Sequence, residues 1–443
     1  MINDTSLLMQ SDEYGLLTDL YQLTMAACYV GEGLDQRRAS FELFVRRLPE
    51  GFGYLIAAGL ASALDYLQKF CFTAEHLAAL KATGIFTEAP DAFWQRLAAG
   101  KFSGDVWAVP EGTAIFANEP ILRVEAPLWQ AQIVETYLLN AINYQTLVAT
   151  RAARLRDVAG PQATLLEFGT RRAFSPQGAL WAARAALAGG LDATSNVLAA
   201  LKLGQKPVGT MAHALVMAIT ALEGSETDSF EAFHRYFPGA ALLIDTYDTV
   251  AAAKLLGQRA TSALAGVRLD SGDLVSLSQQ VRQELPGVPI FASGDLDEQE
   301  ILRLKRSGAC IDGYGLGTKL VTGSPVNGVY KLVDIDGVAV MKEASGKVTY
   351  PGRKQIFRTA TGDRLGLISE PGQGLLVPVM AAGQRLAPAE TLDTIRQRTA
   401  ESVAQLPQTV RDVISPVVPR AEISAALETL TDCTRRGQLA TVS

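Results

Sequence analysis

The spacing of apolar residues changes period several times along the chain, and each change predicts a different element. From Leu16 through Leu20, Tyr21 and Leu23 to Ala27 the apolar positions recur at helical intervals after a Thr or Asp able to cap, which predicts an amphipathic helix. Ala39-Ser40-Phe41-Glu42-Leu43-Phe44-Val45-Arg46-Arg47 alternates with a period of two and predicts a strand; Gly51 to Leu60 follows as a glycine-punctuated turn into a helix. Residues 65–100 return to helical stripes, carried by Leu77-Ala78-Ala79-Leu80 and Phe93-Trp94-Gln95-Arg96-Leu97. Between Gly104 and Ala126, short strands separated by Pro110, Gly112 and Pro120 predict a small antiparallel unit. Leu128 to Val158 then predicts one long helix leading into a second domain.

That second domain has the most regular pattern. Strand candidates lie at Thr164–Phe168, Val208–Met211, Leu242–Asp245, Leu264–Asp270, Ile290–Gly294 and Ile311–Gly315, with helical segments between most of them. The later strands start at intervals roughly in the low twenties, the period of a strand, a helix and two short loops. A parallel α/β barrel is the simplest closure. Its active site is expected at the C-terminal strand ends, where Phe168, Arg171, His213, Asp245, Arg268, Asp270, Ser293 and Gly315 all fall. From about Val329 the alternation returns through Tyr330–Val333, Val338–Lys342 and Gly346–Tyr350, and Leu392–Leu406 and Ala421–Gly437 predict closing helices. The expected division is therefore 1–127, an α+β domain; 128–328, the barrel; and 329–443, a C-terminal part.

Composition agrees with a globular chain of two or three domains: 443 residues, 48% hydrophobic and 19% charged. A net charge of -6 disfavours nonspecific binding to nucleic acid or an anionic membrane, so an anionic substrate must be held by local features. Met1-Ile2-Asn3-Asp4-Thr5 lacks the basic-then-apolar form of a signal peptide, and no apolar run has membrane-spanning length. The four cysteines, Cys28, Cys71, Cys310 and Cys433, have no metal-ligand spacing and suggest no disulfide framework. A cytoplasmic location is the expectation.

Chemistry concentrates at the strand ends. Ser271-Gly272-Asp273-Leu274 and Ser293-Gly294-Asp295-Leu296 repeat one short motif at successive ends, and a glycine turn entering a helix presents N–H groups to an anion. The bland reading of either alone is a helix cap; two at one rim favour phosphate binding. Gly313-Tyr314-Gly315-Leu316-Gly317-Thr318-Lys319 adds a third glycine-rich turn with a nearby cation, and Gly315, Gly317 and Thr318 are its expected phosphate contacts. An isolated Arg-x-Asp such as Arg268 and Asp270 is usually a structural ion pair. Asp245 and Asp248 could orient a histidine or a metal, although turn capping explains them nearly as well. Of the three histidines, His76 and His234 have bland settings; His213 follows Val208-Gly209-Thr210-Met211-Ala212 where a helix can begin.

Read together, Glu167-Phe168-Gly169-Thr170-Arg171-Arg172, Gly209-Thr210-Met211-Ala212-His213 and Arg268-Leu269-Asp270-Ser271-Gly272-Asp273 resemble the nicotinate phosphoribosyltransferase family, a type II phosphoribosyltransferase group. The resemblance runs from about Leu16 to Gln355 in the expected order; Ala214 departs from it, since many relatives carry Ser there. It implies transfer of a 5-phosphoribosyl group from 5-phosphoribosyl 1-pyrophosphate to nicotinate, coupled to ATP through a phosphohistidine at His213. Mg2+ would be carried mainly by substrate phosphates, near Asp270 and Asp295. It further implies Arg268 near phosphate or pyrophosphate oxygens, Asp270 near the ribose hydroxyls or metal, and Arg171 and Thr210 in the substrate site. Phe168 and Tyr21 would stack on the pyridine ring, Tyr21 reaching across from the second subunit of a homodimer. The C-terminal strands would pack with the N-terminal domain. Ser195, in Leu191-Asp192-Ala193-Thr194-Ser195-Asn196-Val197, aligns with an aspartate that nicotinamide enzymes use to hold the substrate amide; its bland reading is a helix cap, and Asp192 lies one turn or bend away. Nicotinamide and quinolinate phosphoribosyltransferases share the fold as alternatives. A phosphate-binding barrel lyase or isomerase needs a base at a strand end, where no lysine falls.

Overall fold

A computed structural model describes residues 9–258, 264–343, 349–359 and 362–437. The chain divides into two compact units: Met1–Thr146 with Pro325–Thr391 and Val417–Ser443, and Leu147–Ser324 with Leu392–Pro416.

The second unit is built on six parallel strands: β1 (Thr164–Glu167), β2 (Ala193–Thr194), β3 (Leu242–Leu243), β4 (Val267–Leu269), β5 (Ile290–Ala292) and β6 (Gly313–Leu316), in the order β2-β1-β6-β5-β4-β3. Each strand leads into a helix: Pro176–Ala188, Val197–Lys202, Thr249–Gln258, Leu274–Glu284, Glu298–Arg306 and the short Thr318–Val321. That alternation forces parallel pairing, because each strand must return to the same end of the sheet. The register places Thr164 beside Gly313, Gly313 beside Phe291 and Phe291 beside Arg268. Leu165, Leu242, Val267, Leu269, Ile290 and Leu316 are fully buried. Glycine on β6 makes room for aromatic rings: a Cβ at Gly313 would lie 2.6 Å from the Phe291 ring, and one at Gly315 2.6 Å from that of Phe168.

One expected strand is not a strand. Among the described residues Val208–Met211 has no ladder pairing; it meets β2 through the Val208 N–H donated to the Thr194 carbonyl at 3.0 Å. Pro207 has no N–H to extend that pairing, and the Met211 carbonyl is taken by the Arg268 side chain instead of a backbone partner. The helix Leu392–Ala404 also departs from the expected grouping of 329–443, since it belongs to the second unit. Thr399 donates its hydroxyl to the Ala188 carbonyl at 2.9 Å, and Arg396 bonds Asp192 at 2.5 Å.

The first unit carries a seven-stranded antiparallel sheet in the order Val338–Ala339, Gly328–Ile335, Arg38–Val45, Pro120–Pro127, Asp105–Ala108, Val377–Ala381 and Gln384–Arg385. Phe44 pairs with Val329 and Phe41 with Val124, so early and late segments share one sheet. Lys354 is buried with its Nζ 2.9 Å from the buried Glu42 carboxylate; burial lowers the lysine's pKa, and that glutamate opposes the shift. The expected long helix is two, Leu128–Ile133 and Glu135–Ala159, and the second crosses the unit boundary at Thr146. Met1–Thr5 and Gly346–Val348, both part of sequence expectations, lie outside the described residues.

Candidate active site

Strand β4 runs out into Arg268 and Asp270. The Arg268 guanidinium donates Nη1–H to the Thr210 hydroxyl at 2.7 Å and Nη2–H to the Met211 carbonyl at 3.1 Å, while its buried Nε has no partner among the described residues. Burial holds its pKa below the usual arginine value; Asp270 and Asp245 oppose that shift and Arg171 adds to it. Arg171, exposed beyond the end of β1, is thus near enough to be felt. Two guanidiniums at one rim suit an anion with spread charge.

The aspartates and serines of this rim bind one another. Asp245 Oδ2, after β3, accepts the Asp270 N–H at 2.7 Å and the Ser271 hydroxyl at 2.8 Å. Asp270 Oδ1 accepts the Ser293 hydroxyl at 2.5 Å. The two serine hydroxyls therefore brace carboxylates, and neither caps a helix. Capping falls to Asp273, which accepts from Val275 and Ser276, and to Asp297, which accepts from Glu300. Both turns use the left-handed backbone, at Gly272 (φ +82°) and Gly294 (φ +97°), and Asp295 adopts it too (φ +47°), an uncommon state for a non-glycine residue. A Cβ at 294 would collide with the Asp270 carbonyl. A groove of about 540 Å³ opens here, lined by Asp270, Gly272, Gly294, Asp295 and Arg303 among others.

Arg268 lines a different cavity, of about 470 Å³, with Phe168, Thr210, Phe291 and Gly315. Phe168 is anchored by its N–H, donated to the Leu316 carbonyl at 2.7 Å, and its ring lies over Gly315. Gly317 and Thr318 open the short helix after β6; the nearby Lys319 pairs with Asp297 at 3.5 Å. Ser195 follows β2 and donates its N–H to the Glu167 carbonyl at 2.9 Å. The cap of the next helix is Asn196, accepting from Ala199 at 3.0 Å, which leaves the Ser195 hydroxyl without a protein partner among the described residues. Asp192 is occupied at the other end of β2 by the Leu165 N–H, Arg156 and Arg396.

His213 opens the helix His213–Glu223, and its Nδ1 shares a hydrogen bond of 3.0 Å with the Thr246 hydroxyl. Local pattern does not single out Thr246; its place beside Asp245 at a strand end is the available signal. Asp248 caps the next helix through the Val250 and Ala251 N–H groups, as turn capping predicts. His76 is a buried capping residue paired with Thr73. Tyr21, in the first unit, is 48% exposed on the helix Leu20–Gly31; burial, then Glu135 and Asp19, raise its pKa. Asp19 holds the Thr136 hydroxyl at 3.0 Å rather than capping that helix.

Among the described residues no cluster of three or more His, Cys, Asp or Glu is set to bind a metal alone. Asp270 still has one carboxylate oxygen outside the Ser293 bond, and Asp295 is exposed at the groove. That donor set fits Mg2+ held largely by phosphate oxygens, its usual mode in phosphate-transfer sites.

Glycine turns and two arginines at the C-terminal ends of a parallel sheet, with an aromatic-lined cavity that reaches down to Thr164, Ala241 and Ala265 at the strand starts, define an α/β enzyme scaffold. Family models described as the nicotinate phosphoribosyltransferase N-terminal domain and the nicotinate phosphoribosyltransferase family match residues 16–143 and 163–290. A nicotinate phosphoribosyltransferase of Mycobacterium tuberculosis is 43% identical over 421 residues, covering 90% of this chain and 89% of the relative. One from Bacillus subtilis is 44% identical over 393 residues, covering 82% and 78%. The crystal structure of human nicotinic acid phosphoribosyltransferase superposes with a TM-score of 0.80 at 30% identity, covering 94% of this chain and 99% of that one. Nicotinate-nucleotide pyrophosphorylase from Pyrococcus furiosus, at TM-score 0.76 and 24% identity over 91% and 98%, is alike in fold. The chain belongs to the nicotinate phosphoribosyltransferase family.

Proposed function

We propose that this chain joins nicotinate to the 5-phosphoribosyl group of 5-phosphoribosyl 1-pyrophosphate, giving nicotinate mononucleotide and pyrophosphate for NAD biosynthesis in the cytoplasm. The observation that carries it is the end of β4: Arg268 lines the aromatic cavity while Asp270 lines the glycine-turn groove. An acceptor base in the first and a phosphorylated sugar in the second would meet at two residues of one strand end. The pyridine nitrogen attacks the ribose C1, and the C1–O bond to pyrophosphate breaks. Arg268 and Arg171 face the negative charge that collects on the leaving group, where fixed cations act most strongly. Asp270, held by Ser293, orients the ribose hydroxyls. The turns at Ser271-Gly272 and Ser293-Gly294-Asp295, with Gly315, Gly317 and Thr318, receive phosphate oxygens. Mg2+, when bound by Asp270, Asp295 and the phosphates, supplies further charge neutralisation.

ATP drives the reaction through His213, whose imidazole accepts the γ-phosphoryl group and is later freed by hydrolysis. Phe168 stacks on one face of the pyridine and Tyr21 of the partner subunit on the other, in a homodimer. Support for a shared site is the exposure of Tyr21 in a helix that also exposes Leu20. The neutral Ser195 hydroxyl supports the acid over the amide as acceptor. Among the described residues no helix is long and apolar enough to cross a membrane.

The test is product formation from 5-phosphoribosyl 1-pyrophosphate, Mg2+ and nicotinate, nicotinamide or quinolinate, each with and without ATP. Nicotinate mononucleotide formation stimulated by ATP, with acid-labile phosphate on the protein, is the expected outcome. A preference for nicotinamide or quinolinate overturns the acceptor, and no effect of ATP overturns the coupling.

A further inference from the structure

Glu167 is the last residue of β1 and only 1% exposed, yet among the described residues no cation pairs with its carboxylate. Burial raises its pKa, while the bonds from Thr194 and Gly169 oppose that shift. A carboxylate in such a place is costly to desolvate, and an apolar side chain would suit a purely structural wall better.

The cost has a geometric counterpart. One carboxylate oxygen accepts the Gly169 N–H and the other accepts the Thr194 hydroxyl at 2.5 Å. The Thr194 oxygen in turn accepts the Asn196 N–H at 2.9 Å, and Asn196 caps the following helix. Meanwhile the Glu167 carbonyl accepts the Ser195 N–H at 2.9 Å. One side chain therefore spans the turn that carries Phe168 and Arg171 and the turn that carries Ser195. The first turn is closely packed: a Cβ at Gly169 would collide with Val321 and come within 2.8 Å of the Glu167 carboxylate. Glutamine keeps only part of this arrangement: with its oxygen on the Gly169 N–H, its NH2 group donates to the Thr194 oxygen and the Thr194 O–H loses the acceptor it has in Glu167.

We propose that Glu167 is a positioning residue for the acceptor base: acting through Gly169 and Thr194, its carboxylate sets the Phe168 ring against Ser195 and so sets the preference for a pyridine carboxylate. The inference rests on the functional reading above. Displacement of a positioning group by a fraction of an ångström is enough to matter, since about 1 Å costs on the order of a hundredfold.

The experiment compares E167Q, T194V and T194S with the wild type, measuring KM for nicotinate, KM for 5-phosphoribosyl 1-pyrophosphate, the nicotinate-to-nicotinamide ratio of kcat/KM, and Tm. E167Q and T194V are expected to raise the nicotinate KM about tenfold and lower the ratio, with the other KM within about twofold; T194S, which keeps the hydroxyl, restores both. A loss of Tm with the nicotinate KM and the ratio unchanged, or equal changes in both KM values, overturns the inference. If E167Q fails to fold, T194V decides by the same criteria. A wild-type chain that transfers nothing to nicotinate overturns the functional reading and this inference with it, whereas an active wild type whose variants keep the wild-type nicotinate KM and ratio overturns this inference alone.

Discussion

Nδ1 of His213 lies 3.0 Å from the hydroxyl oxygen of Thr246, so the imidazole at the start of one helix is oriented by a residue just beyond β3. A hydrogen bond of this kind contributes about 1 kcal/mol net, worth roughly fivefold in a rate that depends on ring orientation. Thr246→Val should slow phosphoenzyme formation by about that factor, and Thr246→Ser should leave it nearly intact. His213→Ala should abolish both acid-labile phosphate and ATP stimulation while some ATP-independent transfer survives. Undiminished phosphate in His213→Ala would place the modification on another residue.

The Phe168 ring occupies the space that a side chain at Gly315 would need. Gly315→Ala should push the ring aside, at an overpacking cost of about 1 to 3 kcal/mol, and raise the nicotinate KM. Phe168→Ala and Tyr21→Ala should each weaken nicotinate binding more than 5-phosphoribosyl 1-pyrophosphate binding, by roughly the 0.5 to 1.5 kcal/mol of an aromatic pair plus lost area. Mixing the two alanine variants should restore some activity if subunits exchange; a fully active monomer would contradict the shared site.

Arg268 makes two hydrogen bonds to the segment before His213, and its buried Nε has no partner among the described residues. Lysine cannot reproduce that fork. Arg268→Lys should lower kcat by about a hundredfold, the scale of losing one preorganised donor, with far less effect on nicotinate KM. A shift confined to KM would assign the residue to ground-state binding.

Among the described residues the Ser195 hydroxyl has no protein partner, since Asn196 does the capping. An aspartate there, about 4 Å from the nicotinate carboxylate, would oppose it by roughly 4 kcal/mol at an effective dielectric of 20. Ser195→Asp should cut nicotinate use near a thousandfold and spare nicotinamide. Unchanged selectivity would move the determinant to Arg171.

Asp192 is held below the usual carboxylate range: burial pushes its pKa up, but the Leu165 N–H and the Arg156 and Arg396 guanidiniums outweigh it. A lowered folded-state pKa adds stability above the unfolded value, near 3.9, and that stability fades as pH falls through the folded value. Asp192→Asn should therefore lower Tm at neutral pH, and the gap to wild type should close on acidification below about pH 4. A gap independent of pH would mean that the pairs contribute through packing alone.

Local pattern was enough to locate β1, β4, β5 and β6, and with them Phe168, Arg268, Asp270 and Gly315, because apolar strands bounded by glycine turns declare themselves over a few residues. Val208–Met211 has the same local look, yet whether it pairs depends on Pro207 and on an arginine far along the chain. The two Ser-Gly-Asp-Leu motifs read alike, but one helix starts within its motif, at Leu274 with Asp273 as cap, and the other is capped by Asp297, beyond a left-handed Asp295. Likewise nothing near Leu392 announces that its helix joins the second unit; Ala188 and Asp192 decide that across two hundred residues.

The rim bonds form a continuous series: Ser293 to Asp270, the Asp270 N–H to Asp245, and Asp245 to its neighbour Thr246, which holds His213. Were a bound group to change what Asp270 accepts and so shift Asp245, the footing of the imidazole would shift with it. Thermodynamic reciprocity makes the traffic two-way. By whatever factor a group bound at Asp270 alters affinity at His213, a group bound at His213 alters affinity at Asp270.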